Sequence, residues 1–534
     1  MEQGCLGYPA PIELGIHNLP NELFLLIFAM NADMFSDINA LKDTHRTALV
    51  SKKWRQILLD SPSIWGKHID LNVLCKDTTV KEEWTSEILR RSTGALLWIR
   101  GAVSGRQTRM FFEPLIKNNW TQIQKLVVDV APIDESSPTW QTILQPAPNL
   151  ETFEVRFYHY NPKEGLNFHA PWTVTSEDEL LFSRFTRDHL FANNAPSLRE
   201  FVPTQIYFSP GAPWLSNVRS VSFTSPVSLH KVFQAIEQIP LLERLNLEEL
   251  QYSPNQSKLP HLSFPRLTVI VLSDLLFVCS QVLNHITPAP GCSLSLDALD
   301  RPNDLLTTSV LRGAQQALSK YLKLFYQSHT AAQISLQCCS VAFSFIDTTT
   351  RFGVDPAFFI VNLTFGPMTF THASFLDSEL TAFNDLVLAF TINSTRFPLA
   401  RTLDLHLESP TLYTSFLASS DFSAIEALHT QESSLTTIRK LKDKKLNPHS
   451  KTFPYPFPAL KTLRVTDIKE PRCPIKVLEV HPATTHPRLG YLQPFWRILD
   501  QEMTGMAVKV LSQEGDGREV VCRGVNAYRL FLEY

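Results

Sequence analysis

The chain has 534 residues, 44% hydrophobic and 19% charged, with a formal net charge of -3 and 36 prolines against 18 glycines. At roughly 100–200 residues per domain this length excludes one compact globule and leaves several domains or a long repeat stack. Near-neutrality removes any global electrostatic case for nucleic acid or an acidic membrane as partner, and the apolar fraction excludes wholesale disorder. The proline excess favours many short, punctuated elements over glycine-rich phosphate loops and mobile lids.

Residues 1–13 read as a tail. Their Met-Glu-Gln-Gly-Cys start has no basic region followed by an apolar one, so no secretory signal is expected, and the protein is placed in the cytoplasm, the nucleus or both. Four glycosylation sequons, at Asn119, Asn255, Asn362 and Asn393, have no consequence there. The first predicted helix follows Leu19-Pro20, with Pro20 in its first turn and Glu22 near the positive end of its dipole. Leu23, Leu26, Ile27 and Met30 form one apolar stripe at i, i+3, i+4, i+7, and Phe24 and Phe28 widen it. A short helix apolar on most of its surface needs more than one neighbour. Asn31 to Thr47 reads as a long polar connection. Val50, Trp54 and Ile57 then repeat the helical spacing until Ser61-Pro62 stops it, and Ile64-Trp65 follows.

The landmarks Leu-Pro-x-Glu-Leu-x-x-x-Ile-Phe (19–28), Val-Ser-x-x-Trp-Arg (50–55) and Ser-Pro-x-x-Trp (61–65) are fixed points that periodicity alone does not explain. Over residues 14–72 this order resembles the F-box, in particular that of the large basidiomycete fungal families. Two departures stand out: Ser51 where cysteine is common, and the length of the 31–47 connection. The resemblance implies docking on a Skp1-like adaptor, and through it on a cullin and a RING protein. The residues that carry over are Leu19, Pro20, Leu23, Ile27, Val50, Trp54 and Trp65. A helical unit of about 50 residues has too little volume to hide so many large apolar side chains within itself. The competing reading makes them the core of a helical cap on the next domain.

Residues 73–505 repeat an L-x-x-L-x-L pattern: Ile123/Leu126/Val128, Leu150/Phe153/Val155, Val218/Val221/Phe223, Leu242/Leu245/Leu247, Leu267/Ile270/Leu272 and Leu460/Leu463/Val465, with a weaker copy at Leu198/Phe201. A Pro-x-Leu phrase introduces several, with proline at 148, 196, 240, 265 and 458, where strands begin and a lost N–H is harmless. The steps 218, 242, 267 fall in the range of leucine-rich repeats. The expected fold is therefore α/β: an N-terminal helical F-box followed by an irregular leucine-rich-repeat-like solenoid, or horseshoe, with Leu229 to Ile239 as one outer helix. An unrelated α/β domain with apolar strands is the alternative. Residues 290–395 break the phasing, with a helix-like stretch from Asn303 to Phe325 and a strand-like one from Ala332 to Ile346, as degenerate repeats or an insertion. The most apolar window, Leu267 to Leu283, is interrupted by Ser273, Asp274 and Ser280, and reads as a buried strand running into a buried helix, not a membrane span. Residues 506–534 read as a β-hairpin cap around Glu514-Gly-Asp-Gly.

No catalytic residue, metal site or cofactor is expected. The P-loop, dinucleotide, zincin and nucleophile-elbow motifs are absent, and the eight cysteines form no CxxC pair. Vicinal Cys338-Cys339 reads as buried thiol more readily than redox pair, and His481 and His486 as loop residues more readily than ligands. Arg439 to Lys445 is a solvated basic loop, or a nuclear or acidic-partner signal. The function expected from the resemblance is substrate recognition in a Skp1–cullin–F-box ubiquitin ligase, non-catalytic, holding an unknown protein target by proximity. In a horseshoe the residues alternating with the inward leucines face the target; these are Glu154, Arg156, Arg244, Asn246, Glu248 and Arg464, subject to register. An F-box scaffold acting outside the ligase, and an enzyme hidden in 290–395, are the rivals.

Overall fold

The structure is a computed structural model describing residues 16, 19–75, 81–104, 106–130, 139–157, 189–204, 206–224, 227–252, 258–300, 307–329, 333–338, 342–349, 357–365, 383, 385–387, 400–407, 424–431, 462–466, 477–482, 506–511 and 517–521. It is mixed α/β with a large, mostly parallel sheet. Two compact units divide it, Met1–Val227 with Gln234–Pro240, and Ser228–Phe233 with Leu241–Tyr534. Among the described residues no helix is long and apolar enough to cross a membrane.

The first unit opens on helices α1 (Asn21–Asn31), α2 (Ala40–Val50), α3 (Lys52–Leu59) and α4 (Pro62–Trp65). Three expectations are corrected here. The polar stretch 31–47 is not only a connection, because α2 begins within it. Val50 and Trp54 do not share a helix: Ser51 is extended, at φ -153° and ψ 160°, and its hydroxyl accepts the Trp54 backbone N–H at 3.1 Å. A short oxygen-bearing side chain satisfies an orphan N–H at a new helix start, so serine between two helical stretches is a break that periodicity overlooks. Pro62 does not merely stop α3; it starts α4, where its missing N–H is harmless.

Strands β1 (Ile69–Asp70), β2 (Leu97–Val103), β3 (Ile123–Val130), β4 (Thr152–Phe157), β5 (Glu200–Thr204) and β6 (Ser220–Thr224) then pair in sequence order, all parallel. Helices α5 (Leu71–Leu74), α6 (Lys81–Arg91) and α7 (Arg106–Asn119) lie between the first three strands in the chain. Beyond β3 the described connections carry 3-10 turns, among them Trp140–Leu144, Leu190–Asn193 and Pro213–Asn217, in place of long outer helices. Each turn delivers a buried aromatic: Trp140, Phe191 and Trp214 pack on Phe157, Phe153 and Phe201 with ring centroids 4.8, 5.1 and 4.7 Å apart.

The repeated apolar residues whose side chains are described are buried as expected; Leu126, Phe153, Phe201 and Val221 occupy one buried register column. The Pro-x-Leu phrase has a sharper role than a harmless strand start. The Leu150, Leu198 and Leu267 N–H groups donate to the carbonyls of Ala147, Ala195 and Phe264 at 3.3, 3.2 and 3.1 Å, so each proline occupies the second position of a tight turn, where its fixed φ is an asset. The next N–H enters the ladder: Glu151 to Gln124, Arg199 to Glu151, Thr268 to Glu243.

Helix α8 (Leu229–Glu237) covers the expected stretch, ending slightly before Ile239. The second unit contains β7 (Arg244–Glu248), β8 (Leu262–Ser263), β9 (Val269–Asp274), α9 (Leu276–His285), β10 (Ile286–Thr287), β11 (Ser293–Asp300), α10 (Thr308–Tyr326), β12 (Gln333–Cys338), β13 (Ala342–Thr349), β14 (Ala357–Phe365), β15 (Thr402–Leu407), β16 (Ala427–Gln431), β17 (Thr462–Thr466), β18 (Val477–Pro482), β19 (Met506–Leu511) and β20 (Gly517–Val521). Window 267–283 is β9 and α9, a strand running into a helix. The spatial order is β7-β9-β11-β14-β13-β12-β15-β16-β17, parallel except for the antiparallel pairs β14–β13 and β13–β12, and β18 to β20 continue antiparallel; β8 and β10 pair separately.

Residues 290–395 therefore break the phasing because β12 to β14 form an antiparallel meander between two parallel neighbours. The stretch 332–346 is not one strand but parts of two, β12 and β13. The terminal hairpin is β19 and β20, and His481 lies in β18, not in a loop. Cys338 is buried in β12. Cys339, Arg439 to Lys445, Pro458, Leu460 and His486 lie outside the described residues.

Buried Asp347 on β13 accepts the Tyr326 hydroxyl at 2.5 Å, while its other oxygen has no partner among the described residues. Burial raises its carboxyl to about 6, less the effect of the tyrosine. A raised carboxyl favours folding most below its ordinary value and loses that contribution as pH rises through 6. Asp347→Asn is accordingly expected to raise stability near pH 7.5 by up to about 3 kcal/mol, read by denaturant unfolding, and to lose its advantage below pH 4.

Candidate docking surface

The helical module has an inverted helix. Of the two stripes that α1 offers, Phe24 and Phe28 are 1% and 3% exposed, whereas Leu26 and Met30 are 58% and 70% exposed, with Leu23 and Ile27 also on the surface. The bulky rings take the interior with Ala32, Leu58 and Ile64, and Leu19, Ala48, Trp54 and Ile57 pack against them. The Trp54 ring lies 5.4 Å from both phenylalanines. Once these rings fill the small space between α1 and α3, nothing among the described residues covers the Leu23/Leu26/Ile27/Met30 stripe. Ile38, Leu49 and Val50 are exposed as well.

Of the seven adaptor-contact residues named from sequence, Leu23, Ile27 and Val50 are exposed apolar groups, Pro20 is exposed, and Leu19 and Trp54 are half-buried in the cluster beneath. Trp65 is different. It is buried, its Nε1 donates to the Leu58 carbonyl at 2.7 Å, and the Arg91 guanidinium covers its ring at 4.5 Å, so it belongs to the core that joins α3 to α4. Sequence reasoning left Leu26, Met30 and Leu49 out of the contact set. Leu26 and Met30 share the stripe with Leu23 and Ile27, so the spacing already contained the signal.

The rim is basic. From Ala40 to Gln56 the exposed cations are Lys42, Arg46, Lys52, Lys53 and Arg55, and the single acid, Asp43, pairs with Arg46 at 3.0 Å. Lys53 also sits over the Phe24 ring at 5.0 Å.

The module is anchored to the strands that follow. Lys67 donates to the Ala29 carbonyl at 3.2 Å and covers the Trp98 ring at 4.6 Å, and Lys125 covers the same ring at 4.1 Å. Trp98 donates through Nε1 to Gln124, which donates to Glu151, at 2.8 and 2.7 Å. Thr44 on α2 hydrogen-bonds His68 Nε2 at 2.9 Å, and His68 Nδ1 has no partner among the described residues.

Burial, with the Lys67 ammonium adding to it, pushes His68 down to about 4. A depressed imidazole leaves the unfolded chain with more protons than the native one between about pH 4 and 6.5, so stability is complete above that window and falls with pH through it. Near pH 5 the loss is about 2 kcal/mol, and His68→Gln should flatten the pH dependence of the unfolding midpoint.

Each strand residue named as a target contact whose side chain is described lies on the face opposite the buried leucines. Arg156 joins Glu154 at 2.5 Å and Asp129 at 3.8 Å, so this trio is already internally paired. Burial raises the Glu154 carboxyl, with Arg156 opposing. In the second unit Asn246 donates to Glu248 at 2.8 Å on β7, beside Arg244. Arg464 is placed on β17 in register with His429.

No protein-family model matches the sequence, and no curated protein matches it. Among the described residues, no group of three His, Cys, Asp or Glu side chains is placed to hold a metal ion.

Proposed function

We propose that the chain is a substrate-recognition subunit of a Skp1–cullin–F-box ubiquitin ligase, its helical module binding the Skp1-type adaptor and its strands, as a leucine-rich-repeat-like solenoid, presenting a protein target. The observation that carries the reading is the uncovered Leu23/Leu26/Ile27/Met30 stripe on a helix whose aromatic stripe is already in the core. Contiguous exposed apolar surface of this kind marks a partner site, and an amphipathic helix offers it as i, i+3, i+4, i+7 anchors. The Leu-Pro-x-Glu-Leu and Val-Ser-x-x-Trp-Arg landmarks support the same reading, since their large residues build or expose this face.

The cations of the α2–α3 segment favour an adaptor groove that carries carboxylates, with an association that weakens as salt screens them. Capture of a purified Skp1-type adaptor by the full chain tests the docking, and failure to capture it overturns the proposal. Recovery of a cullin with ubiquitination activity on a bound target then distinguishes a ligase subunit from a scaffold acting outside the ligase.

A further inference from the structure

We propose that Met30 is an oxidation-sensitive docking anchor: a peroxide converts its thioether to the sulfoxide, and the sulfoxide lowers the affinity of the helical module for its adaptor. This names a regulation of the docking site proposed above and rests on that reading.

Exposure selects the residue. Four apolar side chains make the uncovered stripe of α1, and Met30 is the most exposed of them and the only one with an oxidisable atom; Leu23, Leu26 and Ile27 are hydrocarbon. Elsewhere among the described side chains sulfur is mostly out of reach. Met34 is 2% exposed, Cys279, Cys292 and Cys338 are buried, and Cys75 is half-buried. Burial also pushes the Cys292 thiol up to about 12, which keeps it out of the reactive thiolate form. Among these side chains Met110, on α7, is the other exposed methionine, at 66%. The two exposed thioethers therefore form an internal comparison, one on the docking stripe and one off it.

The Met30 Sδ lone pair attacks one oxygen of hydrogen peroxide. An S–O bond forms as the O–O bond breaks, sulfur gives up two electrons, and the second oxygen leaves as water after taking the proton of the first. An apolar, flexible side chain has become a polar one. In the free chain the new oxygen is hydrated and the fold has little to lose, because Met30 is not among the side chains that build the aromatic cluster. In a complex, burial strips that water away, at a cost the thioether does not carry. A docked adaptor in turn covers the sulfur and slows its oxidation. Thiol-dependent methionine sulfoxide reductases, one for each epimer, reverse the change.

The test treats the full chain with dilute hydrogen peroxide, removes the excess with catalase, and titrates a purified Skp1-type adaptor, while peptide mass spectrometry follows each sulfoxide. Met30 should oxidise at least about tenfold faster than Met34, and the oxidised chain should bind the adaptor at least about tenfold more weakly. Treatment with both reductases should restore binding. The M110L variant should lose affinity on oxidation as the unsubstituted chain does, whereas M30L should bind equally well before and after peroxide. Saturating adaptor should slow Met30 oxidation at least about tenfold relative to Met110. Met34 oxidising as fast as Met30, a loss of affinity that persists in M30L or resists the reductases, or Met30 oxidation that the adaptor does not slow, overturns the proposal. Failure of the untreated chain to bind the adaptor sinks the docking reading and this proposal with it, whereas binding that survives Met30 oxidation undiminished sinks this proposal alone.

Discussion

Replacing Leu26 and Met30 by glutamate is expected to abolish capture of a Skp1-type adaptor while the chain stays folded. Both side chains are largely in water in the free protein, so their replacement removes little from the fold; surface substitutions usually change stability by no more than about 0.5 kcal/mol. Met30 lies in the last turn of α1, where a carboxylate meets the negative end of the dipole, which adds about 0.3–1 kcal/mol of destabilisation. In a complex the account reverses. Each apolar side chain contributes about 1.5–3 kcal/mol when buried, and glutamates in their place would bring unpaired charge to an apolar groove. Together these weaken association at least about 100-fold. Pull-down and titration with purified adaptor, alongside circular dichroism, make the measurement; undiminished capture by the folded variant sinks the docking proposal.

The opposite outcome is expected one residue along from Ile27. Phe28→Ala should destabilise the first unit by about 3–5 kcal/mol, because the ring is enclosed by Phe24, Trp54 and the aliphatic cluster and its removal leaves a cavity. Ile27→Ala, on the exposed side of the same turn, should leave the unfolding transition nearly unchanged and weaken adaptor capture. Chemical denaturation of the two variants separates them: neighbouring positions, one read in the unfolding midpoint and one in affinity. A small shift for Phe28→Ala would mean that the aromatic cluster is not what holds the module together.

Many strand residues were readable because several of the apolar copies state their inward positions twice, once in the apolar spacing and once in the proline turn that starts the strand. Leu150, Leu198 and Leu267 fall where both signals meet. The helical module was half readable. Periodicity located the apolar residues of α1 but could not decide which stripe the interior would take, because Leu23/Leu26/Ile27/Met30 and Phe24/Phe28 are offset by a single residue. Ring volume and the position of Trp54 decide it, and that is tertiary information. Ser51 was missed because one capping hydroxyl overrides an i, i+4 match. Trp65 resembles a surface landmark, yet its hydrogen bond to Leu58 needs the turn between α3 and α4 before it exists. The antiparallel meander left no trace for a related reason: alternating apolar residues in 333–338 and 342–349 suit a strand of either direction, and polarity depends on which partner arrives.

That meander also sets the order in which the sheet can assemble. From β3 to β6 each strand finds its partner in the strand just before it in the chain, so pairing can proceed outward one closure at a time. β11 breaks this rule. Its neighbour β14 places Phe359 beside Leu294, and α10, β12 and β13 must all be synthesised and gathered before that pairing can form. β12 waits in the same way for β15, with Gln333 beside Thr402. Loop closure over such distances is unfavourable before the contacts that reward it exist, and long-range parallel pairing is slow for that reason. Direction is restored on the far side because two reversals leave β12 running with β14, so β15 to β17 can resume stepwise addition. The meander thus places two long-range closures within residues 293–407, and β12, with one edge unpaired until β15 arrives, waits across more chain than β11 does for β14.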